Sequence, residues 1–493
     1  MVAAEPTDGS LDELLDRSAE WLMVGENGRS FPVNRSEIEV VEEAGKTLLG
    51  VIGEGGFSSR RIVSFGTDDG EIQVTVAAAF GGDEEVIRLV PRVSAAELAA
   101  NVELARLEKA NEIAGLIEEF DPAVKIVRVA LNVGSGRFAE VIAELPVSGR
   151  FAVFADIAGG ATPEAVLATS ILWFERLQAR AKKPARELHI VAEKRSAGNL
   201  QKLVALLKTP VRSSIKIFEI NRAGGMMSLK PRAELAVSRL WREKPKKLTL
   251  PEELGPSKTA VRIIALSPEN IDIIHSRNGE TLRFQGMPIA RVRMMAGLES
   301  AWFGVDRTKR PLTPETVSDL ERLIADLELY RTAQTASKRH EFYRTSPESW
   351  LESILRRNIK LLDANLILAP IYNQFRTVAD KIDLLALRRD GRLVIIEIKA
   401  TPDRETPFQA ADYWRKIELL RRRGELKRAK VLGDIEIIDK PALVYAVAPA
   451  LSFHRDFEHF ARMITPDIEL WRFELHENWR EEVKVIARRN YFE

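Results

Sequence analysis

Residues 381–400 read K-I-D-L-L-A-L-R-R-D-G-R-L-V-I-I-E-I-K-A, and Q-A-A-D-Y follows at 409–413. Two apolar runs, 382–387 and 393–398, flank a turn that contains Asp390-Gly391. That is the pattern of a β-hairpin. The length of the turn decides what the hairpin can do. A two-residue Asp390-Gly391 turn sets Asp383 opposite Ile398 and sends the two carboxylates to opposite faces. A three-residue turn, Arg389-Asp390-Gly391, gives the glycine the left-handed position of a type I turn with a bulge. Asp383 then lies opposite Glu397, and alternation along the strand adds Lys399 to the same face. The three-residue turn is the expectation.

Two carboxylates and a lysine on one face, at the end of apolar strands, are costly unless paired or bound to a cation. Carboxylate oxygens suit Mg²⁺ or Mn²⁺, which keep several waters and accept phosphate oxygens. A lysine beside them can neutralise developing charge or orient and deprotonate an attacking water. Asp383, Glu397 and Lys399 are therefore the candidate catalytic residues. The alternative is an exposed hairpin with a Glu-Lys pair, since E-x-K tripeptides are common.

Residues 345–455 resemble the PD-(D/E)xK nuclease superfamily, and more narrowly the RecB-like nucleases and the NucS/EndoMS type of catalytic domain. The residues that carry the likeness are Asp383, Glu397-Ile398-Lys399, and Gln409 with Tyr413 in a Q-x-x-x-Y pattern. The resemblance implies a restriction-endonuclease-like mixed sheet flanked by helices. It implies metal-dependent hydrolysis of phosphodiester bonds, with DNA as the partner and a place in DNA repair or defence. It further implies that Asp383, Glu397 and the Ile398 carbonyl hold Mg²⁺ or Mn²⁺, with Lys399 near the water. A catalytically inactive nuclease-fold protein that binds DNA or assembles with partners is the alternative.

Upstream, S-P-E-S-W-L-E-S-I-L-R-R-N at 346–358 predicts a helix with Ser346 as N-cap and Pro347 in its first turn. Trp350, Leu351, Ile354 and Leu355 form its apolar face. Glu348 and Glu352 are four apart and share a face. In the resembling nucleases a glutamate from such a helix completes the metal site, and Glu352 is the candidate. The competing reading makes both glutamates solvent-facing near a helix N-terminus, and Glu348 is assigned to it. His340 precedes the helix and is not taken as a ligand.

A helix from about Pro407 would carry Gln409 and Tyr413 toward a nucleic-acid strand, although Tyr413 could equally line the core edge. Arg421, Arg422 and Arg423 begin a basic run that continues through Lys427, Arg428 and Lys430. Phosphate contact needs such charge, so the three arginines join Gln409 and Tyr413 as candidate nucleic-acid-binding residues. Arg356, Arg357, Arg388, Arg389 and Arg392 would widen that surface. A charge run is otherwise a solvated face.

Composition bounds the rest. The formal net charge is +1 over 493 residues, so nucleic-acid contact must use local patches. There is no cysteine, which excludes disulfides, thiolate zinc sites and cysteine nucleophiles. Six histidines leave little room for a histidine-rich metal centre. The first ten residues lack a basic-then-apolar signal pattern, and no apolar run has the length of a membrane span. A cytoplasmic protein with no membrane partner is the expectation.

The chain reads as multidomain α/β, with α+β parts. Residues 1–122 form a β-rich domain that ends in a long helix, opened by a capping box at Ser94–Glu97. Within it, 11–24 reads as a short amphipathic helix, and Gly53, Gly55 and Gly56 read as a turn, lacking the lysine of a phosphate loop. Residues 123–224 alternate strand and helix, which predicts a parallel sheet. Asp156 precedes Gly159-Gly160 and a helix start, a place where helix N-termini can meet anions. This domain is either a nuclease-like fold that has lost its chemistry or a partner-binding module. Residues 225–258 are a basic linker. Residues 259–338 are a β-rich connector with a turn at Asn278-Gly279 and a helix opened by Thr313-Pro314-Glu315. Residues 339–493 are the nuclease-like domain. Contacts to a second copy or a protein partner are expected of residues 1–338.

Overall fold

The computed structural model describes residues 10–25, 30–43, 45–53, 56–68, 70–77, 84–92, 95–180, 183–223, 226–244, 255–276, 279–295, 298–305, 309–369, 383–433 and 435–491. The chain is mixed α/β and divides into two compact units. One comprises Met1–Leu200 and Ser214–Ala233, the other Gln201–Ser213 and Glu234–Glu493. Among the described residues no helix is long and apolar enough to cross a membrane.

The first unit begins with seven antiparallel strands between Glu20 and Pro91. Period-two patterning explains them: in Glu71–Val76, Ile72, Val74 and Val76 are buried and their neighbours only half so. The expected helix over 11–24 is cut short at Leu11–Leu15, where Ser10 and Glu13 form a capping box. Beyond it, Glu20–Gly25 pairs with strands on both sides. Trp21 and Leu22 suit strand alternation as well as a helical stripe, and the sheet decides. The long helix runs Ala95–Phe120. Ser94 of its expected cap lies outside the described residues, as does Gly55 of the expected turn.

Residues 125–231 form a six-stranded sheet in sequence order: Lys125–Leu131, Phe138–Leu145, Gly149–Asp156, Leu188–Glu193, Ile215–Ala223 and Met226–Pro231. Only the middle three strands are parallel, so the expectation of a parallel sheet is corrected to a mixed one. Parallel pairs arise where a helix crosses over, at Pro163–Arg180 and Lys194–Ala205. The others are joined by short turns and run antiparallel. The expected basic linker is also structured in part. Met226–Pro231 is an edge strand, and Val237–Leu240 is a helical turn.

In the second unit, Lys258–Leu266 is a helix, where a β-rich connector is expected from residue 259. Its β-branched Val261, Ile263 and Ile264 favour strands, but Ala260 and Ile263 recur at helical spacing and are buried. A five-stranded antiparallel sheet follows between Ile271 and Pro311. Gly279 opens its second strand with φ +117°, while Asn278 lies outside the described residues. The helix expected from Thr313 runs Val317–Tyr330.

The last sheet holds six strands, again in sequence order: Leu366–Leu368, Leu384–Arg388, Leu393–Ile398, Leu443–Pro449, Leu470–Leu475 and Val485–Asn490. The middle parallel trio is Leu393–Ile398, Leu443–Pro449 and Leu470–Leu475. Both faces are covered. Trp350, Leu351 and Leu355 of the helix Pro347–Arg357 pack on Leu384, Val394, Ile396 and Ile398. Ala410, Ala411, Trp414 and Ile417 of the helix Thr406–Arg422 pack on Leu385, Leu393 and Ile395 opposite. A strand buried on both sides has to be apolar throughout, which is why L-V-I-I-E-I shows a glutamate among aliphatics.

The hairpin takes the three-residue turn. Leu384 pairs with Ile396 and Leu387 with Leu393. Arg388 exchanges backbone hydrogen bonds with Arg392 and Gly391 across the loop, and Gly391 sits at φ +85°. A Cβ on Gly391 would meet Ile438 Cγ2 at 2.8 Å. Gly391→Ala should therefore destabilise the second unit by about 1–3 kcal/mol, read as a lower urea midpoint. No change in midpoint would mean the turn tolerates another geometry.

Candidate active site

The pairing ends at Leu384–Ile396, one step short of Asp383 and Glu397, and the Asp383 charge is felt by Glu397. Asp383 is held at the strand end by the backbone N–H of Ile398, which donates to Oδ2 at 2.8 Å. Glu397 is 2% exposed. Its Oε1 lies 3.2 Å from Lys399 Nζ, and the same ammonium reaches Asp403 Oδ2 at 3.1 Å. Glu397 Oε2 is buried with no hydrogen-bond partner among the described residues. Such a group is rare, because desolvating a carboxylate oxygen without a donor costs energy.

Burial pushes the Glu397 carboxyl well above the usual carboxylate range, and the neighbouring Asp383 adds to this against the pull of Lys399. Burial works against the Lys399 charge, but Glu397, Asp403 and Glu348 outweigh it and hold its pKa above the ordinary lysine value. Asp403 keeps Lys399 charged whichever form Glu397 takes. The folded state thus holds a proton on Glu397 that the unfolded chain releases near pH 4.5. Stability from this group is complete below that pH and is lost as pH rises through the folded pKa. Without divalent cations, Glu397→Gln should melt like the native protein near pH 4.5 and higher than it at pH 8. Each 1 kcal/mol relieved would shift the midpoint by about 2–4 °C. A melting difference that ignores pH would remove Glu397 as the titrating group.

The helix Pro347–Arg357 supplies a different glutamate from the one expected. Its start at Pro347 is as read, but Ser346 takes a left-handed backbone, φ +47°, and makes no side-chain cap. Glu348 Oε1 accepts from the Ala400 N–H at 3.5 Å, and its charge is felt by both Glu397 and Lys399. Glu352 is 5% exposed and turned to another partner: Arg283 Nη1 lies 3.3 Å from its Oε1. Glu352 is thus engaged by Arg283, and Glu348 is the helix glutamate that lies toward this cluster. His340 caps its own short helix and stacks on Tyr330, with 3.8 Å between ring centroids.

The helix Thr406–Arg422 carries Gln409 and Tyr413, four apart as expected. Gln409 Oε1 is a second buried acceptor with no partner among the described residues. Tyr413 is half-buried against the core of that face, with Lys416 Nζ 5.4 Å from its ring.

The arginines that follow are committed within the protein. Arg421 and Arg422 both bind Glu418, a fully buried carboxylate that also accepts the Ala442 N–H. Arg421 pairs further with Asp439, Arg422 lies over the Trp241 ring, and Arg423 donates to the Trp241 carbonyl at 2.8 Å. Arg356 pairs with Asp272, Arg388 with Asp390, and Arg392 with Glu469. Two of the three arginines thus share the buried Glu418, Arg421 also meets the exposed Asp439, and Arg423 is bound to a carbonyl.

The donor set fits a hard divalent cation. It offers a buried carboxylate with one oxygen unmatched, and a second carboxylate whose repulsion a cation would cancel. Among the described residues no three His, Asp or Glu side chains converge as a preformed cage. Two protein carboxylates suit an ion that retains waters.

No protein-family model and no curated protein matches this chain. A match among solved structures is one described as EndoMS in apo form. It is 12% identical, covers 45% of this chain and 98% of that one, and has a TM-score of 0.17. A likeness at that score carries no argument about this protein.

Proposed function

We propose that the second unit is a divalent-cation-dependent nuclease that hydrolyses phosphodiester bonds in DNA, acting as an endonuclease in repair or defence. The observation that carries this reading is Glu397: buried, with an oxygen that has no hydrogen-bond partner among the described residues, within electrostatic reach of Asp383 and in contact with Lys399. Asp383, Glu397 and the Ile398 carbonyl would hold Mg²⁺ or Mn²⁺. When bound, such an ion supplies Lewis acidity toward a phosphate oxygen and acidifies water.

The protein's own groups have separable tasks. The Ile398 N–H fixes the orientation of Asp383. Lys399, paired with Asp403 and in contact with Glu397, stands ready to stabilise negative charge as it develops on the phosphate or to orient the attacking water. Glu348 shares the electrostatics of the pair and is the better candidate for the helix contribution. Gln409, with its buried amide oxygen, and Tyr413 lie on the helix proposed to meet the strand being cut.

The test is cleavage of end-labelled single-stranded, duplex, mismatched and branched DNA in Mg²⁺ or Mn²⁺, native protein beside Glu397→Ala. Cleavage lost in the variant supports the reading, and no cleavage of any substrate overturns it. One observation favours a second reading, a nuclease fold that binds DNA without cutting: no three-ligand cluster is present among the described residues. It predicts cation-independent binding with no products.

A further inference from the structure

The two six-stranded sheets have the same wiring. In each, order in space is order in sequence. Successive pairings in the first run antiparallel, antiparallel, parallel, parallel, antiparallel. The second repeats that series. A helix precedes each sheet, Ala95–Phe120 or Pro347–Arg357, and another spans the crossover from third strand to fourth, Pro163–Arg180 or Thr406–Arg422. Each is also preceded in the chain by an antiparallel sheet.

Register and face align the two sheets residue by residue. Val153, Ala155 and Ile157 pack with Ile113 and Leu116 of the preceding helix, as Val394, Ile396 and Ile398 pack with Trp350 and Leu351 of theirs. Asp156-Ile157-Ala158 thus takes the place of Glu397-Ile398-Lys399. Across the strand pair Asp156 faces Phe138, which takes the place of Asp383.

The chemistry of the hairpin is altered in the first copy, although Glu112 of the preceding helix still lines the cavity beside Asp156. The second carboxylate has become an aromatic ring, stacked on Phe154 at 4.9 Å between centroids. The lysine has become alanine. The remaining carboxylate is bound to its own loop: Oδ1 accepts from the Gly159 N–H at 3.0 Å and Oδ2 from the Ala161 N–H at 2.8 Å. Arg137 Nε lies 3.6 Å away. The crossover helix Pro163–Arg180 contains no tyrosine. A cavity of about 390 Å³ persists beside Asp156, but the carboxylate at its edge is hydrogen-bonded where Glu397 Oε2 is not.

We infer that the chain is an internal tandem of one fold unit, whose first copy has kept the sheet and lost both cation binding and hydrolysis, so that both belong to the second copy alone. The allocation rests on the proposed function of that second copy. Manganese binding to the full chain, followed by the electron-paramagnetic signal of free Mn²⁺, tests it without any cleavage step. Native protein should bind Mn²⁺. Glu397→Gln, and separately Asp383→Asn, should weaken binding by about a hundredfold, with folding checked by circular dichroism. Asp156→Asn should leave the affinity within about twofold, because that carboxylate serves its own loop. Mn²⁺ retained by Glu397→Gln and Asp383→Asn but released by Asp156→Asn would overturn the inference and leave a nuclease reading for the first unit. No Mn²⁺ bound by native protein would overturn the proposed function itself, and the allocation with it.

Discussion

Glu397→Ala should lower DNA cleavage by about a thousandfold or more, while the protein stays folded. The size follows from position. Glu397 is the group in the cluster that combines near-complete burial, an oxygen with no partner among the described residues and direct contact with Lys399. On the proposed reading, removing it takes away a cation ligand; it also leaves Lys399 with Asp403 as its close carboxylate partner. The ammonium would then be drawn toward Asp403, away from any phosphate. Folding should survive, because the substitution removes a buried carboxyl whose ionised form burial already disfavours. Single-turnover cleavage beside a thermal melt separates the two effects. A variant that melts normally and still cuts within tenfold of native would take catalysis away from this hairpin. A variant that cuts poorly only because it is unfolded would leave the assignment to Asp383→Asn, which keeps the size of the side chain.

The hairpin was legible because its determinants are local. A glycine with φ +85° three residues into a turn sets the register, and the register sets which side chains share a face. Glu397 and Lys399 follow from alternation alone. What the sequence hid depends on residues far away. Glu348 and Glu352 share a helix face, and nothing within that helix says which one turns to the hairpin. The choice is made by Arg283, 69 residues upstream. The basic run was misread for a related reason. Arg421 and Arg422 both reach back to Glu418, three and four residues before them and fully buried, although Arg422 itself stays exposed. The mixed sheet of the first unit is not legible from strand–helix alternation, because its antiparallel pairings come from Phe138–Leu145, a strand joined to both neighbours by short turns. Once both sheets are mixed, their common wiring becomes visible.

Arg283→Ala should destabilise the second unit by about 3–5 kcal/mol, the largest stability loss expected of a single substitution here. Arg283 is 4% exposed and bridges two buried acids, with Nε 2.9 Å from Asp272 and Nη1 3.3 Å from Glu352. Asp272 also holds Arg356 at 2.6 Å and accepts from Ser353 Oγ at 2.9 Å. Burial would raise the Asp272 pKa, but Arg283 and Arg356 hold it to about 2. The pairing therefore stabilises the native protein at all pH above the unfolded aspartate value, and that contribution is lost as pH falls toward 2. In Arg283→Ala the acids have lost one cation, so their ionised forms are less well tolerated. The penalty should be full at pH 7 and shrink as pH drops below about 4. A urea midpoint that falls equally at pH 7 and pH 3 would mean that lost packing, not charge, is responsible. The same network separates the two helix glutamates. Glu352→Gln should lower the urea midpoint and leave cleavage per folded molecule within about threefold, since its carboxylate faces Arg283. Glu348→Gln should do the reverse, sparing stability and slowing cleavage by about tenfold or more. If Glu352→Gln abolishes cleavage in a fully folded protein, Glu352 rather than Glu348 completes the proposed cation site, and the Arg283 pair opens when DNA binds.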